Sequence, residues 1–153
     1  MIEKLFEYIE NKGIVYLEDD LSDLNLKGIY FDNVIVLHNQ IDTMSEKTCV
    51  LAEELGHYET TTGVILDQTN LHNEKQEEKA RRWAVDQLIK PSDLIAASNS
   101  GVSSRSELSE FLDVTESFIE LMLNHFLKVF GVQLAIDEYI VNFDPLWVYK
   151  SFD

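Results

Sequence analysis

The chain has 153 residues, and its 12 Lys and Arg against 28 Asp and Glu leave a formal net charge of −16. That length supports one full hydrophobic core with a small helical appendage. A surface this acidic repels phosphate backbones and anionic lipid, so direct binding to nucleic acid or membrane is disfavoured and a basic protein partner is favoured.

In chain order, "IEKLFEYIENKG" sets Ile2, Leu5, Phe6 and Ile9 at helical spacing and stops at Gly13. Acids interleave those apolar residues, so the segment lacks a signal-peptide core. "IVYLEDD" (14–20) is a strand, and "GIYFDNVIVLHN" reads as two strands around the turn pair Asp32-Asn33. The next helix begins within "DTMSEKTCVLAEELGHY". Asp42, Thr43 or Ser45 can cap it, and Ser45 suits a body running from Thr48 to Tyr58. "ETTTGVILDQTNLHN" (59–73) reads as a loop, because its side chains compete for backbone hydrogen bonds. "EKQEEKARRWAVDQLI" is the strongest helix, with Ala80, Trp83, Ala84 and Leu88 on one core-facing side and a stop at Pro91.

"PSDLIAAS" is a short helical piece and "SNSGVSS" a break. "SELSEFL" and "TESFIELMLNHFLKVFG" follow as helices, the second capped by Thr115 and striped by Phe118, Leu121, Met122 and Phe126. "VQLAIDEYIVNFDPLWVYKSF" is an extended tail. Early strands, central helices and a packed tail make an α+β domain. No stretch approaches the roughly 18 apolar residues of a membrane span. Cys49 is the only cysteine, so no intrachain disulfide can form, and the chain reads as cytoplasmic.

The chemistry concentrates in "CVLAEELGHYETTTG" (49–63), whose centre is one residue away from the H-E-x-x-H signature of zinc peptidases. In that signature two histidines at i and i+4 point from one helix face to a single metal, and the intervening glutamate takes a proton from water. Here His57, Glu54 and Gly56 are in place, and Glu53 stands where the first histidine belongs. A carboxylate is a legitimate zinc ligand. It adds negative charge, which weakens the metal as a Lewis acid and makes harder ions such as manganese more competitive. Taken alone, Glu-Glu-x-x-His also describes a solvated carboxylate pair on an acidic helix.

The wider pattern adds to this. "CVLAEELGHYETT", followed after about twenty residues by "KQEEKARRWAVDQLIKPSDL", resembles the ImmA/IrrE-type metallopeptidases. That family pairs its H-E-L-G-H helix with a second helix matched here by Glu77, Ala80, Trp83, Ala84, Leu88, Ile89 and Pro91. "YIVNFDPLW" also looks like the tail of the versions found on phages and mobile elements. The likeness is good over residues 14–98 and looser beyond. It implies a zincin-like fold, a small twisted sheet on the active-site helix with a C-terminal helical region. A metallopeptidase-like core would span 1–98, with residues 99–153 as helices and tail packed on the same domain. It further implies Glu53, His57 and Glu77 as ligands of zinc, or of manganese or another divalent metal, with Glu54 as general base. The partner implied is a basic helix-turn-helix repressor, cut to relieve repression. The alternative is an anti-repressor that acts by binding alone.

Other candidates read as structural. His72 sits near a helix start, with a role as replacement nitrogen ligand as its alternative, and His38 ends a strand, with a place lining the cleft as its alternative. His125 belongs to a late helix, and Tyr58 is a packing ring with an oxyanion role as its alternative. Cys49 lies eight residues before His57, about 12 Å along a helix, too far for a nucleophilic pair. "SELSEFLDVTESFIELML" has a helix-turn-helix cadence, but residues 101–128 hold five acids against two bases, a poor surface for DNA. Packed helices are the plainer reading, and a protein-docking surface the second.

Overall fold

The computed structural model describes residues 1–61 and 74–151. The fold is α+β, as expected, with two three-stranded sheets among the described residues. The chain divides into two compact units, Met1–Ala84 and Val85–Asp153.

In the first unit, α1 (Ile2–Lys12) buries Leu5 and Ile9 and is closed by Gly13 at φ 68°. Phe6 meets Tyr16 edge-on at 5.0 Å, and Tyr8 meets Trp83 at 5.6 Å. β1 (Val15–Asp19), β2 (Gly28–Phe31) and β3 (Val34–His38) form a sheet ordered β1-β3-β2. β1 runs parallel to β3, and β2 antiparallel to it. Asp32 and Asn33 both take positive φ, 48° and 63°, the conformation a tight two-residue hairpin turn demands. Ile35 and Leu37 alternate inward and are fully buried.

α2 (Met44–Thr61) packs against β2 and β3 and buries Leu51, Ala52 and Leu55. Its cap is Thr43 rather than Ser45: the Thr43 hydroxyl accepts the Glu46 amide at 3.1 Å, three residues on, where a capping oxygen must reach. The helix also runs three residues into the expected loop. Thr60 donates to the Gly56 carbonyl at 2.8 Å and Thr61 to that of His57, so both hydroxyls are satisfied inside the helix. The rest of the expected loop, with His72, lies outside the described residues. α3 (Glu74–Leu88) turns Ala80 and Ala84 fully inward, whereas Trp83, expected in the core, is half-buried against Tyr8.

The second unit contains α4 (Pro91–Asn99), α5 (Arg105–Leu112) and α6 (Glu116–Phe130). Ser104 accepts the Glu107 amide and Thr115 that of Phe118, at 3.1 and 3.2 Å, which sets both helix starts. The tail is more than extended. β4 (Gln133–Ile136), β5 (Tyr139–Phe143) and β6 (Leu146–Lys150) pair as an antiparallel meander. Asp137 at φ 53° makes the first turn. Val141 and Phe143 point inward, with Phe143 5.6 Å from Phe126.

Candidate functional site

α2 and α3 meet where glycine permits it. A Cβ on Gly56 would lie 2.3 Å from the Ala80 carbonyl oxygen, so any larger residue would hold the two backbones apart. One residue on, His57 leaves α2 toward α3, and its Nε2 lies 3.2 Å from Oε1 of Glu77. His57 is 5% exposed and Glu54 9%. On the other side, a Cβ on Gly28 would lie 3.0 Å from Cγ of Glu54, so β2 presses directly on the general-base candidate. The Tyr30 backbone on that strand favours its charged form and opposes part of the effect of burial.

Burial and charge set the protonation states. Glu54 is raised from 4.5 to about 7, chiefly by burial, with the charges of Glu53 and Glu77 adding to it and that of His57 opposing. Glu53 is raised too, by burial first; Arg81 on α3 opposes the shift and Glu77 reinforces it. Burial works to lower His57, but the Glu77 hydrogen bond and the charges of Glu54, Glu77 and Glu53 outweigh it, so its net direction is up. A carboxyl poised near neutrality beside an imidazole suits general acid–base work.

Does this donor set fit a metal? Two ligands on one tetrahedral zinc, each at about 2.0–2.1 Å, stand about 3.3 Å apart. The 3.2 Å gap between His57 and Glu77 therefore suits a shared cation as well as a hydrogen bond. Among the described residues, no group of three or more His, Cys, Asp or Glu side chains is gathered to hold an ion. The structure thus unites His57 with Glu77 and sets Glu54 against β2 at the same helix. Glu53, one turn before His57, is half-buried and not gathered with them into a three-donor group.

The remaining candidates fall where the plainer readings put them. His38 accepts the Leu21 amide at 3.0 Å through Nδ1. His125 pairs with Asp86 at 2.8 Å. Tyr58 packs edge-on to Tyr30 at 5.8 Å, and Cys49 is buried. Sequence reasoning missed Arg81, Gly28 and the Tyr30 backbone. Only Gly28, a glycine opening a predicted strand, carried a signal of close approach. Among the described residues, no helix is long and apolar enough to cross a membrane.

A family model described as the IrrE N-terminal-like domain, a peptidase family, matches residues 9–124. Searches of curated proteins and of solved structures find no match. The match takes in α2, α3 and their imidazole–carboxylate pair, and the chain belongs to this family of metallopeptidase-like proteins.

Proposed function

We propose that the chain is a metal-dependent endopeptidase-like regulator acting on a basic helix-turn-helix repressor of a phage or mobile element. The supporting observation is the pairing of His57 with Glu77 across two helices, with Glu54 buried beside them and held near neutrality. His57 and Glu77 would hold a divalent ion such as zinc, with Glu53 as the third donor in place of a histidine. When bound, the ion supplies Lewis-acid polarisation of the scissile carbonyl and a more acidic water. Glu54 would act as the general base, taking a proton from water and returning it to the leaving amine. Glu54 is buried, with β2 pressed against its side chain, which limits competition from bulk water. The net charge of −16 favours a basic partner.

A second reading is favoured by Glu53 at the ligand position and by the absence of a three-donor group among the described residues. In it, the protein binds the repressor and sequesters it without cutting. Metal content of protein purified without chelator, followed by repressor cleavage with and without Glu54→Gln, separates the two. Cleavage abolished by the substitution supports hydrolysis. Derepression that survives it, with no cleavage products, supports binding.

A further inference from the structure

We infer that the second unit carries a docking groove for an apolar peptide segment flanked by Lys or Arg, separate from the imidazole–carboxylate cluster. The groove lies between α4, the start of α5 and the β5–β6 hairpin, and encloses about 550 Å³. That is within the usual range for sites that bury a ligand. Leu94, Ala97 and Leu108 are buried beneath it, and Leu146 and Trp147 wall one side. Trp147 is 66% exposed. An indole left in water beside apolar walls offers the flat, rigid contact area that anchors protein partners.

Charge selects the occupant. Arg105, the basic side chain of the lining, is ion-paired with Glu120. Asp144 at the rim is exposed and makes no ion pair among the described residues. Residues 85–153 as a whole hold 11 acids against 4 bases. A second copy of the chain would bring another −16 against this face, which opposes self-association. A segment with apolar side chains for the cleft and cations for its rim meets both demands. The basic character of the partner rests on the function proposed above, whereas the groove itself does not depend on catalysis.

The test uses the full chain in EDTA, so that neither metal nor cleavage contributes. A fluorescein-labelled heptapeptide, Lys-Lys-Leu-Phe-Leu-Lys-Lys, and a twin with Glu for every Lys are titrated and read by anisotropy. Saturable binding of the basic peptide is expected, weakened about tenfold or more by Trp147→Ala, an exposed position whose truncation spares the fold. Asp144→Lys should weaken it about threefold, and the acidic twin should not bind. Equal binding of both peptides, or wild-type affinity in Trp147→Ala, overturns the proposal. So does a concentration-dependent dimer, seen in sedimentation, that Trp147→Ala abolishes, because the occupant is then a second copy. Failure of repressor cleavage, in contrast, would count against the peptidase reading and leave the groove untouched.

Discussion

Adding one methyl group at Gly56 tests the contact on which the site depends. The Cβ of Gly56→Ala would lie 2.3 Å from the Ala80 carbonyl oxygen, 2.8 Å from its carbonyl carbon and 2.9 Å from its Cα. Carbon atoms rest at about 3.5–4.0 Å, so α2 and α3 must part by roughly 1 Å. These are backbone atoms, and no rotamer change relieves them. Overpacking of this kind costs about 1–3 kcal/mol. The better helix propensity of alanine returns up to about 1 kcal/mol. The net expectation is a loss of about 1–2 kcal/mol, read as a lower urea midpoint with unchanged m-value. The same shift carries His57 away from Glu77, beyond the present 3.2 Å, and removes the hydrogen bond that raises its pKa. An NMR titration of the metal-free protein should then show His57 moving down. A variant with the parent's midpoint and an unmoved His57 would refute the reasoning, because α2 and α3 would not then be in backbone contact at this point.

Glu54→Gln removes a buried carboxyl whose folded value is about 7 against 4.5 unfolded, so the folded state holds its proton more tightly and parent stability falls as pH rises through that window. At about 1.4 kcal/mol per unit the variant should gain about 3 kcal/mol relative to parent between pH 4.5 and 8, measured by urea melts of metal-free protein; a constant difference across pH contradicts the assigned shift. If Glu53 is a ligand as proposed, Glu53→His takes one negative charge from the site and cleavage of the proposed repressor with zinc should rise about tenfold; an equal or lower rate would show that position 53 does not tune the metal. Gly28→Ala meets Val50 Cγ1 at 2.7 Å and Glu54 Cγ at 3.0 Å, both on side chains able to yield, so a milder loss of about 1 kcal/mol is expected in the same melts. Thr115→Ala removes the oxygen that accepts the Phe118 amide and should cost about 1 kcal/mol of stability, with cleavage unaffected.

Much of this was legible where a residue's own chemistry decides its conformation. Asp32-Asn33 tolerate positive φ, and the hairpin formed there. Thr115 offers an oxygen three residues before an apolar stripe, and the helix began there. The reading failed where a tertiary partner or an alternative bond decides. Thr60 and Thr61 looked like loop formers, but their hydroxyls found helix carbonyls instead. Trp83 has the spacing of a core residue, yet its ring rests half-buried on Tyr8. The tail was read only as extended, because the turns and register joining β4, β5 and β6 depend on pairings between segments that a linear pattern leaves open. At the site, the Glu-Glu-x-x-His spacing placed three side chains on α2, and the family likeness supplied Glu77. The influence of Arg81 on Glu53, and that of the Tyr30 backbone on Glu54, come from elements distant in sequence and had no local signature.

The electrostatics of the cluster give the substitution at position 53 its meaning. Glu53, Glu54 and His57 are all shifted upward, so each holds its proton more tightly in the fold than in the open chain. For the two carboxyls burial is the main cause; for the histidine it is the surrounding carboxylates, acting against burial. An assembly whose only task was packing would gain by replacing such groups with apolar ones of similar size. Instead the chain keeps three carboxylates within electrostatic reach of one imidazole, and Arg81 opposes only part of the resulting shift at Glu53. The place therefore favours positive charge, which protons supply at low pH and a divalent cation can supply at high pH. Glutamate at 53 strengthens that preference and, for the same reason, would blunt a cation held there as an electrophile. Tight holding and fast cutting are then opposing outcomes of one side chain, which is why position 53 divides the hydrolytic reading from the binding one.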